Sequence, residues 1–148
     1  MTAHTWSVRV RAAGQNEAVV HSGKRSFEVG PQVRFEPSDD KLTALEYFLG
    51  ALSADIVSGF QTAAARNRVN IFDVELSASC QLDNPLVFLG VVGETGTPSV
   101  KKVSGTLYVS SDAKDEALND VWDETLARSP LTCTLKNCVD LELRMNVI

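Results

Sequence analysis

From Thr43 to about Arg66 the chain carries Leu45, Phe48, Leu49, Leu52, Ile56 and Phe60 at the three- and four-residue spacing of an α-helix, with apolar neighbours on nearly every side. Thr43 and Glu46 give this helix a capping-box start: the threonine hydroxyl caps the first turn and the glutamate reaches back to the cap amide. So dry a helix must be covered on most of its faces, inside one domain or between subunits. Everything else has to be arranged around it.

The flanking segments change period. Thr5–Arg11 alternates Trp6, Val8 and Val10 with polar residues, and Ala18–His21 and Phe27–Val29 add two further short strands around Gly14-Gln15-Asn16 and Gly23. These predict an N-terminal antiparallel meander, closed by the polar loop Glu36–Asp40. Beyond the helix, Val69–Leu82 places Val74, Leu76, Ala78, Cys80 and Leu82 on one side of a long strand, and Val100–Ser110 does the same with Val103, Gly105, Leu107 and Val109. Leu86–Pro98, with Gly90, Gly93 and Gly96, reads as a mobile connection; it lacks the Gly-Lys-Ser/Thr ending of a phosphate loop.

Asp112 is the expected N-cap of a second helix with Leu118, Val121, Trp122, Thr125 and Leu126 on its apolar face. Ser129-Pro130 ends that helix and starts a short third one, since serine is favoured at N-cap and proline at the first helical position. Val139–Val147 is the last strand. The order β-β-β-α-β-β-α-α-β is an α+β layout, and at 148 residues the chain, 1–148, is expected to form a single domain.

Nineteen acidic against fourteen basic side chains leave a net charge of −5, which disfavours nucleic acid and anionic membrane surfaces as partners. The apolar stretch Tyr47–Val57 is interrupted by Gly50, Ser53 and Asp55 and is too short to cross a bilayer. Met-Thr-Ala-His-Thr-Trp has no secretory pattern, so a cytoplasmic location is expected. Cys80, Cys133 and Cys138 fit reduced thiols; with no ligand spacing for zinc and no nucleotide motif, neither metal nor cofactor is expected.

Four residues are candidates for a site. Asp55 is a carboxylate in the middle of the dry helix, where it needs solvent, an arginine from the N-terminal strands, or a functional partner. Glu46 is a second carboxylate, already explained by the capping box, and Ser129 is a hydroxyl already explained as an N-cap. Cys133 lies one helical turn beyond Ser129, on the same side. Cys80 reads as an inward-facing small hydrophobe, and Cys138 as partly exposed.

The segment from Ala44 to Asp55, Ala-Leu-Glu-Tyr-Phe-Leu-Gly-Ala-Leu-Ser-Ala-Asp, followed later by Ser129-Pro-Leu-Thr-Cys-Thr-Leu135, resembles the two signatures of the OsmC/Ohr family, the osmotically inducible and organic-hydroperoxide-resistance proteins. The resemblance implies antiparallel sheets around long central helices in an intertwined homodimer, with two sites between subunits. It also implies a thiol peroxidase in which one cysteine attacks an organic hydroperoxide, a second resolves it as a disulfide, a carboxylate and an arginine assist, and a dithiol such as dihydrolipoamide recycles the enzyme. Here Asp55 stands where the first cysteine belongs and Ser129 where the second does. Neither can follow a thiolate to the sulfenic acid, so the standard cycle is expected to be absent. Glu46 falls at the acidic position; the arginine is left open among Arg9, Arg11, Arg25 and Arg34.

The first expectation is therefore a homodimer whose inter-subunit pocket, lined by Asp55, Ser129 and Glu46, holds a small molecule, hydrophobic or a hydroperoxide. The alternative is an active hydroperoxide reductase using Cys133 as a relocated thiol, about 5.4 Å of helix rise from the usual place. A third reading is a structural protein with a vestigial pocket.

Overall fold

The structure, a computed structural model, describes residues 4–33 and 40–148. Arg34 and all of the loop Glu36–Asp40 but its last residue lie outside the described residues. The chain divides into two compact units, Met1–Phe48 and Leu49–Ile148.

The first unit is a meander of β1 (Arg9–Ala13), β2 (Glu17–Ser22) and β3 (Arg25–Val29), antiparallel in sequence order. Pairing begins at Arg9↔His21, four residues later than the alternation that starts at Thr5. The reason is the partner: β2 ends at Ser22, where Gly23 takes φ +60° to turn the chain, so residues before Arg9 have no backbone to pair with. Val10, Val20 and Phe27 lie in register on one face. Much of this face is open: Trp6 and Val8 continue its pattern at 87% and 64% exposure, and Val10 is 57% exposed. The Tyr47 ring packs 4.7 Å from that of Phe27, and its hydroxyl donates to the Glu28 carbonyl at 2.7 Å.

Helix α1 (Ala44–Arg66) has the expected extent. Its capping box forms, with Thr43 N donating to Glu46 Oε1 at 3.1 Å and Glu46 N to Thr43 Oγ1 at 3.2 Å. Within one chain, however, it is dry along one stripe and not all round. Leu52, Ile56, Phe60, Ala63 and Ala64 are buried, while Leu45, Phe48 and Leu49 are half-buried and Ala51 and Ala54 exposed.

The helix ends in a Schellman motif: Val69 N donates to Ala64 O at 2.8 Å and Arg68 N to Ala65 O at 3.2 Å, with Arg68 left-handed at φ +57°. That motif uses residues the alternation assigns to the next strand, so β4 (Asp73–Leu82) begins four residues after Val69.

In the second unit β4 runs antiparallel to β5 (Val100–Ser110), which is central, and β6 (Asp140–Val147) runs parallel to β5 on its other side. The parallel pair departs from an all-antiparallel expectation. It follows from the connection, because two intervening helices carry the chain back before β6 begins. Val103, Leu107 and Val109 of β5 are buried, as are Leu118, Val121, Trp122 and Thr125 of the helix α3 (Asp115–Arg128), and the Phe60 and Trp122 rings lie 6.5 Å apart.

Two local features differ from the sequence reading. A one-turn helix, α2 (Pro85–Phe88), opens the segment expected to be loop; Asn84 caps it by accepting from Leu86 N at 3.1 Å, the same cap-then-proline signal that Ser129-Pro130 carries. Helix α3 (Asp115–Arg128) starts after Lys114, not Asp112, and has no side-chain cap. Ser111 Oγ accepts from Ala113 N at 3.0 Å and donates to Asn70 O, which holds the chain in a turn through the position expected to cap. Asp115 and Glu116 in the first turn supply negative charge instead.

Candidate functional site

Ser129 is the joint between two helices: it follows the last residue of α3 and is the N-cap of α4 (Pro130–Leu135). Because Pro130 occupies the first helical position and has no N–H, the first available donors of α4 belong to Leu131 and Thr132. Thr132 N donates to Ser129 Oγ at 3.0 Å, as an N-cap requires. Leu131 N donates to Asp55 Oδ2 at 3.3 Å, and the serine hydroxyl is 2.6 Å from the same oxygen. The carboxylate of α1 thus meets the start of α4 across 74 residues of chain.

The proton inventory of this junction is determined. A carboxylate has no proton to give, so Ser129 donates to Asp55. Its hydroxyl has then no second proton for Thr132 Oγ1, 2.9 Å away, and the threonine is the donor in that contact. Ser129 Oγ gives one hydrogen bond and accepts two, from the amide and hydroxyl of Thr132. Both residues are nearly buried, at 4% and 5% exposure. A serine whose lone pairs are both occupied, beside no histidine, is an anchored structural hydroxyl and not an activated nucleophile.

Beside the junction a cleft of about 220 Å³ runs between α1 and α3. Asp55 and Ser129 lie in its wall with Gly59, Ala63 and Thr125; Gly59 faces Thr125, and a Cβ there would reach ordinary contact with Thr125 Cγ2 at 3.6 Å. Arg66 and Arg128, the closing residues of α1 and α3, also line it, joined by Glu124. Glu124 Oε1 takes an ion pair from Arg66 and another from Arg128 Nε at 3.1 Å, and Oε2 accepts from Asn67 Nδ2 at 2.7 Å. The Asn67 hydrogen bond first, then that from Arg66, hold the Glu124 carboxyl below its ordinary range; burial opposes them, and the charges of Arg66 and Arg128 add smaller pulls in the lowering direction.

The sequence candidates are distributed as follows. Asp55 and Ser129 are brought together. Glu46 makes its capping box, nine positions before Asp55 on α1, and is not among the residues lining the cleft. Cys133 Sγ faces carbonyl oxygens of the α3 end, Ala127 O at 3.4 Å and Leu126 O at 3.6 Å, and does not line the cleft either. A thiolate there would meet two electron-rich oxygens rather than a cation. Cys80, on the inward side of β4 opposite Val103, has its thiol pushed up by burial; Cys138 is exposed. Of the arginines considered, Arg9 and Arg11 lie on β1 and Arg25 on β3. The sequence reading overlooked Arg66, Arg128, Glu124 and Thr132. Thr132 had a signal in its place three residues after an N-cap serine; the two arginines had one in closing their helices, where cations complement the helix dipole.

A family model for OsmC-like proteins matches residues 37–144. The chain belongs to the OsmC family. No curated protein sequence matches it. Among solved structures, an OsmC-like protein from Mycoplasma pneumoniae is similar with a TM-score of 0.83 at 11% identity, covering 99% of both chains. An organic hydroperoxide resistance protein OsmC from Legionella pneumophila gives 0.72 at 12% identity over 97% of this chain and 99% of its own. The organic hydroperoxide resistance protein OhrB of Bacillus subtilis gives 0.64 at 16% over 95% and 98%. At these identities the likeness establishes the OsmC fold. In this OsmC-family chain, Asp55 and Ser129, the residues at the two positions the sequence reading aligned with the family cysteines, are in direct contact. Among the described residues no helix is long and apolar enough to cross a membrane.

Proposed function

We propose that this OsmC-family protein is a homodimer that binds a small molecule at the Asp55–Ser129 cleft and does not run the two-cysteine peroxidase cycle. One observation carries the reading: the two positions at which a peroxidatic and a resolving thiol are expected hold a carboxylate and a hydroxyl bonded to each other at 2.6 Å. Attack on an O–O bond needs a polarisable thiolate that can become a sulfenic acid, and neither oxygen can take that role. The cleft beside them has charged groups along its wall, which supports binding.

The exposed apolar face of the N-terminal sheet and the half-open flank of α1 support a partner of the same chain. Trp6, Val8, Val10 and Phe27 are exposed apolar residues in one alternating pattern rather than scattered singly, and grouped apolar exposure of this kind marks interaction surfaces.

The test is incubation of the protein with cumene hydroperoxide and dithiothreitol, with peroxide consumption followed and each cysteine inspected by mass spectrometry after dimedone trapping. No turnover is expected. Turnover abolished by Cys133→Ser would replace this reading by the relocated-thiol one, and a monomer by light scattering would remove the dimer.

A further inference from the structure

The cleft has a definite donor and acceptor pattern. Ser58 Oγ donates to Ala54 O at 2.7 Å, Thr62 Oγ1 to Ser58 O at 2.9 Å and Thr125 Oγ1 to Val121 O at 2.7 Å. Each hydroxyl proton is turned back onto its own helix, so these side chains offer the cleft lone pairs and methyl groups. Ser129 is saturated by the contacts already described. Asp55 uses only Oδ2; Oδ1 has no hydrogen-bond partner among the described residues. The Asp55 end therefore accepts and does not donate.

The other end is the reverse. Arg66 and Arg128 against Glu124 leave a net charge of +1 (two cations, one anion), and each guanidinium has N–H groups beyond the one that Glu124 takes. Arg128 is exposed and Arg66 half so, which places them at the mouth. Asp55 and Arg66 stand eleven positions apart on α1, about 16 Å of helix rise, and the arginine side chain leans back toward the helix start. Between the two ends lie Gly59, Ala63 and the Thr125 methyl, a short apolar wall.

We propose that the cleft takes a small zwitterion, with an ammonium group on Asp55 Oδ1 and a carboxylate held by Arg66 and Arg128. The proposal rests on the small-molecule reading above and adds the ligand class. An anion alone would meet Asp55, and a cation alone would leave the guanidinium end unmatched; a molecule with opposite charges at its two ends meets both. A cleft of about 220 Å³ suits a small ligand rather than a macromolecule.

The experiment is isothermal titration of the full chain with 6-aminohexanoate, hexylamine and hexanoate. The zwitterion is expected to bind about tenfold or more tightly than either one-ended probe, because each lacks a charge-assisted contact. Asp55→Asn, which keeps an acceptor for Ser129, is expected to weaken 6-aminohexanoate and hexylamine by about tenfold and not to weaken hexanoate. The double variant Arg66→Gln/Arg128→Gln, at solvent-facing positions, is expected to weaken 6-aminohexanoate and hexanoate and to spare hexylamine, which keeps the test open if Asp55→Asn does not fold. Absence of saturable 6-aminohexanoate binding, equal affinity for a one-ended probe, or indifference to both variants overturns the proposal. The peroxide assay separates the two readings: silence in both experiments removes the zwitterion and leaves the loss of peroxidase standing.

Discussion

The Asp55–Ser129 hydrogen bond can be measured as a coupling energy. Ser129→Ala removes the N-cap of α4, a loss of about 1 kcal/mol, and the donor to a carboxylate, a hydrogen bond of about 1.5–3 kcal/mol. Asp55→Ala removes the same bond and the longer one from Leu131 N, leaving the nearly buried serine proton without its acceptor. Each single variant is therefore expected to lose about 2–4 kcal/mol. The shared bond is counted in both, so the double variant falls short of their sum. Asp55 is partly exposed and solvent screens it, which brings the expected coupling down to about 1–2 kcal/mol. Urea unfolding of the four proteins at neutral pH, read as midpoints with a common slope, gives this number directly. If the two losses add to within about 0.3–0.5 kcal/mol, the residues do not act on each other, and the account of the junction fails along with the saturated-serine argument.

Arg68 sits left-handed where a Schellman motif favours glycine, so Arg68→Gly is expected to raise stability by about 1 kcal/mol in the same unfolding assay. Glu124 has a carboxyl held below its ordinary range in the folded chain; its contribution is complete above the unfolded value and is lost as pH falls through the folded one, so Glu124→Gln should flatten the acid side of a stability–pH curve and leave its neutral part unchanged in shape. Gly59→Ala should fold, since its Cβ meets Thr125 Cγ2 at ordinary distance, and gain up to about 1 kcal/mol of helix propensity; the methyl narrows the cleft, so titration should show weaker 6-aminohexanoate binding. Phe60→Ala, in the fully buried stripe of α1, should cost about 3–5 kcal/mol by thermal or urea unfolding.

Local pattern carried the elements whose causes are local. The extent of α1 follows from its spacing and its capping box, and the start of α4 from Ser129-Pro130, since the residues that make these features are neighbours. Where a boundary depends on distant backbone, alternation misled: β1 begins at Arg9 because β2 ends at Ser22, and β4 begins late because Arg68 and Val69 finish the helix. The direction of β6 belongs to the connection and not to its own residues. Asp55 was visible as a residue in need of a partner, but that partner lies 74 positions away, and no periodicity expresses such a pairing. Of the arginines considered from the sequence, Arg9, Arg11 and Arg25 lie on the N-terminal strands, whereas those lining the cleft, Arg66 and Arg128, close α1 and α3, a juxtaposition that comes from the packing of α1 against α3.

The joint between α1 and α4 is closed by oxygen atoms. A disulfide in that place would open and shut with the supply of electrons and would report the oxidant load of its surroundings. A serine proton resting on a carboxylate has no reduction potential. Glutathione cannot reduce it and peroxide cannot form it, so this contact does not answer to the redox state of its surroundings.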